Sequence, residues 1–287
     1  MASKYHVRSI SLPSRSHPST VQTEEALSKI KSTLVEFSRL TSGSTCKSLS
    51  ALEDLYICMD DLLNMASTQQ VLSQNRQEKC MDEFLDVSVT ILDVCGITRD
   101  AVLQIKENVQ ALQSAVRRRK GDSCSIENSV ASYNSFRKKM KKDAKKFIAT
   151  LKQMDHKLGV SPLREEDQHL AAVIRVVREV NATSSSIFQS LLFFLSASGS
   201  KPKQSSWKLV SKLMHKGAVA CEEKSEIVNE LEIVDFALCS FDIQKTQNLR
   251  TSLKALESGI ENLETCLERM FRRLIRTRAA FLNIISQ

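Results

Sequence analysis

Residues recur at helical spacing along nearly all of this chain. Phe84, Val87, Ile91, Val94, Thr98, Val102, Ile105, Val109, Leu112 and Val116 keep three- and four-residue steps, the mark of an amphipathic helix. The pattern runs straight through Gly96. Turn residues are correspondingly scarce: the 287 residues include only 7 Gly and 4 Pro, about a third of the usual share. Gly supplies positive φ and Pro presets turns, so β-sandwiches, barrels and propellers are disfavoured. Nucleotide-binding α/β folds built on Gly-rich phosphate loops are disfavoured for the same reason. The predicted fold class is all-α, an antiparallel bundle of six or seven long helices with a disordered N-terminal tail.

Residues 1–20 read as a basic, Ser-rich tail and residues 21–287 as one helical-bundle domain. Through residue 23 the chain holds Lys4, Arg8 and Arg15 but no acid, a composition shared by disordered tails and organelle transit peptides. Ser19 or Thr20 can cap the first helix, marked by Leu27, Ile30, Leu34 and Phe37. Thr41 to Thr45, with Gly43, reads as a break. A second helix is expected from about Leu49 to Met65, and Ser67 to Arg76 as a connection or weak helix end. The long third helix, containing Phe84 to Val116, turns at Gly121-Asp122. A fourth runs from Ile126 to Leu158, with Gly159 at its C′ position. The short loop between them predicts an antiparallel hairpin. Ser161-Pro162 opens a fifth helix reaching about Ser196, whose run Ile187 to Leu195 should be the most buried part of the protein. A sixth is expected from about Ser206 to Phe241, with room for a kink near Gly217; Asp242 to Asn248 is then either a turn, which its polar residues favour, or a local distortion of one continuous helix.

The last segment has a heptad pattern. With Leu253 at position a, the a and d positions from Leu249 to Ile284 are apolar except Thr277. The g positions are Ser252, Gly259, Cys266, Arg273 and Ala280, where a free zipper would place charges. Small flanks favour packing inside the chain's own bundle over self-association.

Lys and Arg exceed Asp and Glu by 41 − 33 = 8, which permits acidic partners or anionic surfaces without demanding them. Arg137 to Lys146 carries seven positive residues against Asp143. On a helical projection its lysines lie opposite Met140, Ala144 and Phe147. Lys138, Lys139, Lys142, Lys145 and Lys146 are therefore candidate contact residues, on a face that could equally be plain solvated surface. Arg269, Arg272, Arg273 and Arg276 form a second candidate face, with pairing to acidic helices of the same bundle as the simpler role. Eight cysteines without a C-x-x-C spacing read as reduced thiols in an intracellular protein. The histidines stand singly, so no metal site and no cofactor is expected. Aromatics make up 5%, which argues against base-stacking nucleic-acid platforms. Acid pairs such as Asp60-Asp61 point about 100° apart on a helix and do not converge for acid–base work. No motif supports an enzyme.

Five segments together resemble a known family: YHVRSISLPSRSHPST, LEDLYICMDDLL, FLDVSVTILDVCGITRDAVLQIKENVQALQSAVRRRKGD, YNSFRKKMKKDAKKF and LERMFRRLIRTRAAFLNIIS. They are similar to the plant domain-of-unknown-function family 241, labelled Bypass-like, from about Tyr5 to Ser286. The resemblance implies an all-helical plant protein associated with root and shoot development. It implies no reaction, cofactor or catalytic residue. Members usually carry a longer polar insert before the C-terminal helix than Asp242 to Asn248 supplies here. The expected function is a non-enzymatic interaction or regulatory protein with protein partners. The alternative is peripheral association with anionic membrane through the lysine face. The expected compartment is the cytoplasm, or the chloroplast if the acid-free tail is a transit peptide.

Overall fold

The computed structural model describes residues 18–36, 40–118, 123–158, 168–197, 229–239 and 246–286. These form helices and, among the described residues, no strand. The helices are α1 (Pro18–Glu36), α2 (Ser42–Leu63), α3 (Ala66–Gln74), α4 (Lys79–Arg117), α5 (Ser123–Leu158), α6 (Gln168–Ser196), α7 (Glu230–Cys239) and α8 (Thr246–Ser286). None of these helices is long and apolar enough to cross a membrane. α1 begins at Pro18, inside the stretch assigned to the tail, where a fixed φ and a missing N–H suit a first helical turn.

α8 is the central post of the bundle. Every heptad a and d position from Leu249 to Ile284 is buried, and the seam packs against α2, α4 and α7 of the same chain. Each fully buried leucine there contributes about 2 kcal/mol. Thr277, the exception in the pattern, donates its hydroxyl to Asp60 of α2. Arg273 holds the second Asp60 oxygen at 3.0 Å. The polar break in the seam thus answers a buried carboxylate, as buried polar groups require.

Cross-links between side chains give the helix directions. Arg250 reaches the Val116 carbonyl, Gln113 donates to Glu257, Lys106 pairs with Glu264, and Arg99 with Glu268. The residue numbers rise on one helix as they fall on the other, so α4 and α8 are antiparallel. α5 and α6 are antiparallel as well, joined at Asp155–Ser185 and at Arg137–Leu195. α2 runs parallel to α8: Ser42 meets Gly259, Glu53 meets Arg269, and Asp60 meets Arg273. The expected run Ile187 to Leu195 is buried apart from the half-buried Ser190 and Phe193.

Two elements depart from the sequence expectation. α2 starts at Ser42, not near Leu49, because Thr41 and Ser44 form a capping box. The Glu230 carboxylate accepts the Ser42 N–H as well. A negative group at a helix N-terminus is stabilising, and Gly43 in the first turn is tolerated. The stretch expected as a connection or weak helix end contains a separate helix, α3, too short to show a repeat and held by burial of Thr68, Val71 and Leu72. The expected turn at Asp242 to Asn248 lies partly outside the described residues, and Thr246 to Asn248 already belong to α8. Most of the expected sixth helix, including Gly217, and the junctions at Gly121, Gly159, Pro162, Gly199 and Pro202 lie outside the described residues.

Candidate functional site

α5 turns two kinds of basic residue in opposite directions. Tyr133, Met140, Ala144, Ile148, Leu151 and Met154 are buried against the bundle. Lys138, Lys139, Lys142, Lys145 and Lys146 are exposed and form no salt bridge with a described residue. Lys146 lies 5.9 Å from the Phe147 ring centroid. This is the geometry of a charged strip facing outward along several turns.

The other two members of the basic run, Arg137 and Lys141, turn inward; the projection groups Lys141 with the outward lysines and does not place Arg137. Arg137 is 2% exposed. Its Nη2 bonds Asp235 of α7 at 2.9 Å and the Ala197 carbonyl at 2.6 Å, while Nη1 bonds the Leu195 carbonyl at 2.6 Å. Lys141 pairs with Asp235 at 3.3 Å, and the Tyr133 hydroxyl donates to Asp235 at 2.9 Å. Burial, with the Asp235 charge beside it, pushes the Tyr133 phenol well above its usual range. Asn229 donates to the Phe194 carbonyl and accepts from the Leu231 N–H. The last carbonyls of a helix have no partner within it. Here side chains from α5 and from the start of α7 supply those partners to the end of α6. One signal in the sequence could have found Arg137: it stands one turn after Tyr133, at the edge of the core stripe.

Beside the lysine strip lies a cleft of about 180 Å³ between α4, α5 and α6. Ile97, Ala101, Phe136 and Leu192 give it apolar walls, and Lys139 and Asp143 give it a polar rim. Pockets for small-molecule ligands run to about 300–1,000 Å³, so this one has room for a side chain or two. Ile97 stays partly exposed at its wall.

The arginine face of α8 is partly committed within the bundle. Arg269 pairs with Glu53 at 3.0 Å, and Arg272 with Glu268 one turn earlier in α8. Arg273 is half-buried on Asp60, and Arg276 is exposed. Arg278, outside the candidate set, donates to the Leu85 carbonyl at 2.8 Å and to Ser88. Among the described residues, no group of three or more His, Cys, Asp or Glu side chains could hold a metal ion.

One polar cluster carries a prediction about stability. Asp155 Oδ2 accepts from Ser185 at 2.9 Å and Gln189 at 3.1 Å. Asp155 Oδ1 and Gln189 Oε1 are buried and accept from no described residue. Burial raises the Asp155 carboxyl above its ordinary 3.8. A carboxyl that binds its proton more tightly when folded lowers stability as pH rises from 3.8 through the raised value. Asp155→Asn keeps an acceptor for Ser185 and Gln189 and removes the charge that burial penalises. The variant is expected to gain about 1 kcal/mol at neutral pH and to lose that part of the pH dependence. Urea titrations of both proteins between pH 3 and 8 check this; a loss of stability at neutral pH refutes it.

A family model described as Protein BPS1 matches residues 48–284. The match takes in the lysine strip, the cleft, the Arg137 network and the whole α8 seam from Leu249 to Ile284. No curated protein and no solved structure shows a significant match.

Proposed function

The chain belongs to the plant Protein BPS1 family, and from that premise we propose that it is a non-enzymatic interaction or regulatory factor in root and shoot development. Family membership points to a plant developmental protein. The finer reading rests on the α5 face: five exposed lysines, unpaired among the described residues, run beside an apolar cleft. A partner segment with acidic residues and one apolar anchor fits that arrangement. The acids would meet the strip, and the anchor would enter between Ile97, Phe136 and Leu192. Electrostatic complementarity of this kind sets on-rate and specificity. The arginine face is the weaker candidate, since Arg269, Arg272 and Arg273 are each paired with an acid of this chain, which leaves Arg276. No catalytic residue, cofactor or metal is assigned.

The test is the triple variant Lys139→Glu, Lys142→Glu, Lys146→Glu. These are exposed positions, so each change should move stability by no more than about 0.5 kcal/mol. Affinity purification from plant tissue is expected to recover a partner with the native protein, to lose it with the triple variant, and to weaken it at high salt. An unchanged set of partners with the triple variant overturns the assignment of this face. The same variant separates the membrane alternative. Near an anionic bilayer each lysine is worth about 1 kcal/mol, so flotation with phosphatidylserine vesicles that vanishes in the variant moves the contact from protein to lipid. We place the protein in the cytoplasm. Imaging of a C-terminal fluorescent fusion, with and without residues 1–23, checks this against the chloroplast.

A further inference from the structure

α2 and α8 run parallel and approach closely at Gly259. A Cβ on Gly259 would lie 2.8 Å from the Ser42 Cβ and closer still to its Oγ. Farther along the same contact, Arg269 of α8 reaches Ser50 at 3.3 Å and Glu53 at 3.0 Å on α2. Between these two points lie Cys46, one turn after Ser42, and Cys266, two turns after Gly259. Both are half-buried free thiols packed against the core. The two thiols lie close enough on this contact to shift each other's ionisation, and Arg269 Nη2 sits 3.9 Å from the Cys266 sulfur.

We propose that Cys46 and Cys266 are an oxidative modification site, converted by a peroxide into a reversible disulfide that joins α2 to α8.

The surroundings divide the roles. Cys266 is lowered to about 6, first by the hydrogen bond from Cys46, then by the Arg269 charge and a hydrogen bond from Ser50, against the opposing effect of burial. Cys266 therefore gives up its proton more readily than Cys46, and the thiolate is the nucleophile. Cys46 is raised, first by donating to Cys266 and then by burial, so it keeps its proton. The Cys266 sulfur attacks one peroxide oxygen; the S–O bond forms, the O–O bond breaks, and the released oxygen leaves as hydroxide or alkoxide and takes a proton from solvent. Cys266 is then a sulfenic acid. The Cys46 sulfur attacks the Cys266 sulfur; the S–S bond forms and the S–O bond breaks. The hydroxyl leaves as water with the Cys46 proton. Two electrons pass from the thiol pair to the peroxide, and a dithiol reductant reverses the change by exchange. Three other described cysteines are shifted the opposite way from Cys266. Burial is the leading cause raising Cys58, Cys80 and Cys95, the last to about 12.

The experiment uses the full reduced chain and hydrogen peroxide, with non-reducing peptide mapping by mass spectrometry. The expected result is a Cys46–Cys266 linkage as the first disulfide formed, lost on treatment with dithiothreitol. Cys46→Ser should stop at a Cys266 sulfenic acid that dimedone traps. Cys266→Ser should show no dimedone adduct at Cys46. Alkylation of Cys266 against pH should have a midpoint near 6, moving upward in Arg269→Leu. A first disulfide between any other pair overturns the proposal, as does a Cys266 alkylation midpoint at the ordinary thiol value of 9.0.

Discussion

Arg137→Met is expected to destabilise the protein by about 3–5 kcal/mol, the cost of breaking a buried ion pair from one side. Three groups lose a partner at once. Among the described residues Asp235 keeps only Tyr133 and the 3.3 Å contact with Lys141, and the Leu195 and Ala197 carbonyls lose the guanidinium N–H groups that donate to them. Those carbonyls sit at the end of α6, the negative pole of the helix, where a cation is favourable. Arg137→Lys should recover only part of the loss, because an ammonium cannot reproduce the planar fork that reaches Asp235 and two carbonyls together. The double variant Arg137→Met, Asp235→Leu removes the stranded charge and should be less destabilised than the sum of its single variants. Chemical denaturation of the four proteins measures the cycle. A cost below about 1 kcal/mol for Arg137→Met would show that water replaces the guanidinium freely.

Glycine to alanine should have opposite signs at two positions of this bundle. Both glycines lie inside long helices, where alanine is ordinarily favoured by about 1 kcal/mol. At Gly96 of α4 a Cβ would rest 3.7 Å from the Phe271 ring, an ordinary contact. Gly96→Ala should therefore gain about 0.5–1 kcal/mol. At Gly259 the added methyl would collide with Ser42, which cannot easily retreat. Its N–H and hydroxyl are fixed to Glu230, the hydroxyl at 2.7 Å. Moving α2 outward would disturb that anchor, the N-cap of α2 and the Cys46–Cys266 contact together. Gly259→Ala should cost about 1–3 kcal/mol from overpacking, and Gly259→Leu more. Paired thermal melts of the two alanine variants test the contrast directly; equal shifts would refute it. The double variant Ser42→Gly, Gly259→Ala should recover part of the loss, because it opens the space the methyl needs.

Much of this architecture was legible from spacing. The α8 seam, the α4 stripe and the buried run in α6 each repeat often enough for the period to stand out. α3 did not, because nine residues give two turns and a polar composition hides the Val71–Leu72 anchor. The start of α2 was hidden by Gly43 and by serines that read as a break, whereas Thr41 and Ser44 cap each other and Glu230 arrives from far along the chain. The α5 face was half legible. Projection put all six lysines on the side away from the core stripe; five are exposed, whereas Lys141, outside the candidate set, reaches Asp235, and Arg137 was left undistinguished. Charge alone does not say whether a cation meets water or a carboxylate.

By itself the sequence determined that this chain is helical, which stripe of each long helix is apolar, and that α8 is built to be enclosed. Those properties follow from local periodicity, since a side chain's face depends only on its place along its own helix. Tertiary structure alone decided the partners: Arg137 with Asp235, 98 residues away; Asp60 with Thr277, 217 away; Tyr56 with Ser184, 128 away. It also decided that α2 lies parallel to α8, bringing Ser42 onto Gly259 and Cys46 beside Cys266. Apolar burial is non-directional and so can be read as a pattern. Hydrogen bonds and ion pairs demand particular atoms at particular distances, and only the packed bundle fixes those.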